Sequence, residues 1–253
     1  MTEMDMRPSI ERGFTKINVP YLDETLSFAH PYTGPNDYRS VAKDILKNKT
    51  PKMSLPNREQ TSYLLYAVYC GPEDFQGEDE CVELRDEIMK PTYLWIFQRN
   101  LWIPENIRTK YGAGVFVVYD EEGVGTSEEL DIGKLEKVLK GGKVLKNGIR
   151  FSEDEKVGFA PRNTYKEGGM SAEDFANDGF IIVSNKEQGA KNLAEVSQSK
   201  YFKYKKLRSW ILNPSDEPIQ TVSTVGDDWG DDWLDFVGCC VGGRGGYASG
   251  VLE

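Results

Sequence analysis

The chain has 253 residues, 39% of them apolar and 28% charged, with a formal net charge of −10. A chain of this length can build a core without disulfide or metal staples, and this balance of apolar and charged residues excludes global disorder. The negative charge disfavours nucleic acid and anionic membrane as partners, and no stretch approaches the run of about 18 apolar residues that spans a bilayer.

Met1 to Gly13 alternates charge and polarity and lacks the basic-then-apolar layout of an export signal. It is expected to be a flexible tail on a cytoplasmic protein. Cys70, Cys81, Cys239 and Cys240 are then expected as thiols, and they do not form the two close pairs of a structural zinc site. After the tail, Ile17 to Phe28 reads as extended, and His30 to Pro35 as a turn-rich linker. Asn36 is placed to cap a helix with Tyr38, Val41, Ala42, Ile45 and Leu46 on one face. Asn57 opens a second helix, with Gln60 in the reciprocal capping position and Leu64, Leu65, Val68 and Tyr69 as its stripe. Cys81, Leu84 and Ile88 mark a third, stopped by Pro91.

Tyr93 to Phe97 reads as a strand, Leu101 to Ile103 as a second apolar piece, and Val115 to Tyr119 as a strand covered on both faces. Ser127 is expected to cap a helix through Leu139. Lys137 to Gly142 is almost repeated as Lys143 to Gly148. The first copy ends the helix, and Asn147-Gly148 in the second suits a primed hairpin turn with both residues at positive φ. Ser171 with Asp174 opens a short helix, Gly179 to Ser184 reads as a strand, and Ser184 with Glu187 opens a helix with Ala190, Leu193 and Ala194 inward. Lys203 to Leu212 and Ile219 to Val225 read as strands joined by the turn 213–216. The fold class is α+β: a mixed, largely antiparallel sheet with helices concentrated in the N-terminal third. One domain over 14–253 is expected, with an alternative division near Gly141.

Four stretches carry candidate chemistry. In Tyr93 to Trp102, Gln98, Arg99 and Asn100 interrupt an apolar run. Turn or bulge chemistry explains them most simply. The alternative is a continuous strand whose Arg99 and Asn100 hold an anionic or planar ligand between Trp95 and Trp102, helped by Arg162 and Lys166. Asp227, Asp228, Asp231, Asp232 and Asp235 crowd beside Trp229 and Trp233, offering oxygens to a divalent cation, though without the rhythm of an EF-hand. A solvated acidic loop is the simpler reading. Lys200 to Arg208 interleaves cations with rings but puts cations on both strand faces, which suits a solvated edge better than single-stranded nucleic acid. His30 is the single histidine, and no nucleophile elbow accompanies it. Gly112-Ala113-Gly114 precedes a strand, the wrong order for a dinucleotide fingerprint.

Two functional readings follow. The first is a non-catalytic partner-binding or structural protein, with a protein as the expected partner class and no cofactor. The second is an enzyme acting on an anionic small molecule through Arg99 and Asn100, with an aspartate-bound divalent cation.

Overall fold

A computed structural model describes residues 7–12, 15–88, 90, 92–119, 129–204, 206–210, 216–226, 233–239 and 245–252. The chain begins with strands β1 (Ser9–Glu11), β2 (Lys16–Tyr21), β3 (Glu24–Ala29) and β4 (Thr33–Asn36). Helix α1 (Tyr38–Lys47) follows, then β5 (Met53–Ser54) and helices α2 (Arg58–Cys70), α3 (Glu73–Gln76) and α4 (Asp79–Ile88). Strands β6 (Tyr93–Ile103) and β7 (Gly114–Val118) precede α5 (Ile132–Val138), β8 (Arg150–Phe151), β9 (Val157–Pro161) and β10 (Gly168–Met170). Helices α6 (Ala172–Asn177) and α7 (Gly179–Val196) lead to β11 (Lys206–Trp210), β12 (Ile219–Gly226), β13 (Trp233–Cys239), β14 (Gly246–Ala248) and β15 (Val251–Leu252).

Among the described residues, a five-stranded sheet runs β1-β2-β3-β15-β5. A ten-stranded sheet follows the path β10-β11-β13-β12-β6-β7-β9-β8, with β14 beside β6 and β4 beside β14. Most neighbours are antiparallel, while β11–β13 and β14–β6 are parallel. The mixed α+β reading therefore stands. Helices are not concentrated in the first third, because α7, at 18 residues, lies well beyond the middle of the chain.

β6 is the centre of the larger sheet, and all 11 of its residues are buried. Leu94, Ile96 and Trp102 join the core that includes Leu64 and Val68 of α2 and Ile181 and Leu193 of α7. Tyr93, Trp95 and Phe97 pack instead with Tyr38, Val41 and Ile45 of α1. Leu101 and Ile103 reach a third cluster that holds Leu135 of α5. The polar triplet does not turn the chain. Ile96 pairs with Ser223 and Arg99 with Val222, so Phe97 and Gln98 are extra residues in a bulge of a continuous strand.

Local expectations fare unevenly. Asn57 and Gln60 form the reciprocal cap of α2, and Ser171 caps α6. For α1 the cap is Asp37 rather than Asn36, with its carboxylate accepting from the backbone N–H of Arg39 and Ser40. Ser127 lies outside the described residues, and Asp131 caps α5. Residues 179–184 are helix, not strand. Asp178 accepts from the N–H groups of Phe180 and Ile181 at 3.0 and 3.2 Å and starts α7 there. A short apolar run looks alike in a buried strand and in a helix packed on several sides. β11 and β12 do not form a hairpin, because β13 lies between them. Within the expected tail, Ser9–Glu11 pairs with β2 as its edge strand.

The near-repeat resolves into two different turns. Gly141 ends the α5 segment at φ 98°. In the second copy Gly148 takes φ 86°, whereas Asn147 is not among the described residues with positive φ. The N–H of Gly148 reaches the Leu145 carbonyl at 2.9 Å, a type I turn followed by a left-handed glycine rather than a primed turn. Gly142 has a separate constraint: a Cβ there would stand 1.9 Å from the Phe151 carbonyl oxygen. Because that neighbour is backbone held in the β8–β9 pairing, Gly142→Ala is expected to destabilise more than Gly148→Ala, whose cost is the about 1–2 kcal/mol of a left-handed alanine. Chemical denaturation of the two variants checks the order.

Candidate functional site

Helices α2 and α7 lie against each other, with Gly189 close against Ser62. A Cβ on it would stand 2.6 Å from the Ser62 hydroxyl. The tip of the β2–β3 hairpin, turned by Leu22 at φ 52°, leans over this helix pair. Two recesses open beneath it. A polar cleft of about 490 Å³ is lined by Tyr21, Glu59, Phe97, Tyr119, Glu155 and Lys186, among others. A wider groove of about 850 Å³ runs along Tyr63, Tyr66, Cys70, Gln188, Asn192 and Glu195. Tyr21 and Tyr63, edge to face with centroids 4.9 Å apart, stand between the two.

The cleft is organised around one ammonium. Lys186 Nζ lies 3.0 Å from Glu59 Oε2 and 2.7 Å from Glu155 Oε2. The Glu59 side chain is only 4% exposed, and Tyr21 donates its hydroxyl to the same Oε2 at 3.0 Å. Burial works against the Lys186 charge, but Glu155 and Glu59 together outweigh it and hold the lysine pKa above its ordinary value. Burial first, then the Glu59 charge, pushes the Tyr21 phenol up. Burial does the same to Tyr119, whose hydroxyl donates to the Val183 carbonyl. The ammonium and both phenols therefore keep their protons through the neutral range.

Backbone strain sits at both ends of this bridge. Lys186 has φ 57° and ψ 176° in the middle of α7, where it kinks the helix. That conformation is essentially reserved for glycine and costs a side-chain-bearing residue about 1–3 kcal/mol. Glu155, in the turn between β8 and β9, has φ 54°. Beside the kink, three oxygens are buried without hydrogen-bond partners: Gln98 Oε1, Ser184 Oγ and Asn185 Oδ1. Gln98 meanwhile donates its amide to the Ser184 carbonyl at 2.9 Å, tying the β6 bulge to α7.

Behind Glu59, Arg58 is 1% exposed. Its Nη2 reaches the Thr224 and Val237 carbonyls at 3.3 and 3.4 Å, and its guanidinium lies 5.1 and 5.8 Å from the Phe180 and Phe236 ring centroids. Burial lowers its pKa. Two carbonyl dipoles and two ring faces take the place of a carboxylate for this cation.

The residues singled out in the sequence are not gathered here. Trp95 and Trp102 occupy opposite faces of β6, as do Arg99 and Asn100. Trp95 donates to the Asn36 carbonyl and Trp102 to Thr221 Oγ1, both at 3.0 Å. Asn100 donates to Ser223 Oγ at 3.1 Å and Thr221 Oγ1 at 3.3 Å, inside the sheet. Arg162 is exposed in a 3₁₀ turn, its guanidinium over the Tyr165 ring. Asp227, Asp228, Asp231 and Asp232 lie outside the described residues, and among those described no group of three His, Cys, Asp or Glu could hold a metal ion. Asp235, also in that cluster, is held by both Nε and Nη2 of Arg208. Cys70 and Cys81 are free thiols that burial pushes up to about 11 and about 12. His30 contacts Glu83 at 2.9 Å.

No family model matches the chain, and no curated protein matches it. A solved structure described as the accommodation of massive sequence variation in Nanoarchaeota by the C-type lectin fold is similar at 15% identity and a TM-score of 0.46, over 85% of this chain and 93% of that one. That degree of likeness carries nothing further here. No described helix is long and apolar enough to cross a membrane.

The strain at position 186 is directly measurable. In an ordinary helix interior, glycine is about 1 kcal/mol worse than alanine. Here the order is expected to reverse. Lys186→Gly and Lys186→Ala lose the same ion bridge, but the glycine accepts the backbone and is expected to be more stable by about 1–2 kcal/mol. Denaturant midpoints of the two variants give the sign.

Proposed function

We propose that the protein is a non-catalytic binding protein and that the cleft at the α2–α7 junction receives its ligand. The observation that carries this reading is the Lys186 bridge: an ammonium seated between two carboxylates on strained backbone, at the wall of a cavity of ligand size. The chemistry of the cleft favours binding over turnover. A lysine nucleophile needs a depressed pKa, and that of Lys186 is raised. The cleft lining contains no histidine, cysteine or serine. The enzyme reading relied on Arg99 and Asn100 converging on one pocket, and their division between the two faces of β6 gives it no support.

The test is a fragment screen followed by amide chemical-shift mapping on the full chain. Small polar molecules are expected to perturb residues around Tyr21, Glu59, Tyr119 and Lys186. Shifts clustering elsewhere, for instance along Tyr63 and Tyr66, would move the binding site to the neighbouring groove and overturn this assignment.

A further inference from the structure

The cleft displays the chemistry of its own occupant. We infer that it is a site for a short aliphatic diamine, and that the Lys186 side chain fills the ammonium position in the free protein. This rests on reading the cleft as a binding site and names the ligand class.

With Lys186 set aside, the acidic and basic residues of the lining are Glu59, Asp154 and Glu155 against Lys156. Three carboxylates to one cation leave a deficit of two positive charges, which a diamine matches and a monoamine does not. Tyr21 and Tyr119 supply rings to the lining whose apolar bodies suit a methylene chain. The position of one ammonium is marked directly by Lys186 Nζ, at 3.0 Å from Glu59 and 2.7 Å from Glu155. Tyr21, donating to Glu59 at 3.0 Å, keeps that carboxylate oriented once the lysine leaves.

The same geometry explains how a ligand could displace a tethered competitor. An intramolecular lysine has a high effective concentration, which normally defeats an incoming amine. Here the competitor brings one ammonium to a lining that lacks two positive charges, and a diamine brings both. The side chain is 28% exposed, so it has a route out to solvent.

Calorimetric titration of the full chain with 1,5-diaminopentane tests the inference, with 1,5-pentanediol as a probe of the same length and no charge. The wild type is expected to bind the diamine, and Lys186→Ala to bind it about ten-fold more tightly, because no tethered ammonium has to be displaced. Adding Glu59→Gln to Lys186→Ala should remove at least that gain, and the diol should bind none of the three. Lys186→Met gives the same comparison if the alanine variant does not fold. A folded Lys186 variant that binds the diamine no better than wild type, or binds the diol equally, overturns the ammonium assignment. If neutral or anionic fragments still map to the cleft in that case, the binding reading survives and only the ligand class fails; if nothing maps there, both fail.

Discussion

The architecture depends on burying β6 on both faces. Eleven consecutive buried residues leave the strand no solvent side, so each face needs its own cover and each polar group an internal partner. The first demand places α2 and α7 on one side and α1 and α5 on the other. The second explains a row of small hydroxyls on β12. Thr221 and Ser223 face Asn100, and Thr221 also accepts from Trp102. The bulge at Phe97 and Gln98 sends the Gln98 amide toward Ser184 on α7, so the strand fixes the helix that carries the cleft.

The parts of this fold legible in the sequence are those fixed by neighbours along the chain. Asn57 and Gln60 could be read as a cap because both halves lie within one turn of helix. Residues 179–184 could not, because so short an apolar run does not distinguish two periods, and the deciding Asp178 resembles any loop aspartate. The cleft was less legible still. Tyr21, Glu59, Tyr119, Glu155 and Lys186 come from five separate segments, and each has an ordinary local explanation. Glu59 is a first-turn acid of a helix, and Lys186 sits in a polar stretch. The one local signal that could have marked the kink would have been a glycine, and the chain has lysine there instead. Arg99 and Asn100 drew attention for the opposite reason. They look out of place in an apolar run, yet they are buried residues of the central strand.

Arg58 shows how α2 serves both core and cleft. Its guanidinium enters the sheet–helix interior while the next residue, Glu59, turns toward Lys186. Opposite charges on adjacent residues thus face different environments, one a dry pocket of rings and carbonyls and the other a cavity open to water. The separation keeps Glu59 available to the ammonium rather than neutralising the arginine beside it.

The two sheets are joined late in the sequence. β14 lies between β4 and β6, and β15 lies between β3 and β5. The N–H of Ala29 bonds the Gly250 carbonyl, and Phe28 stands opposite Val251. On the ribosome the β2–β3 hairpin precedes this late partner, so its β3 edge stays open and adhesive until β15 has been made.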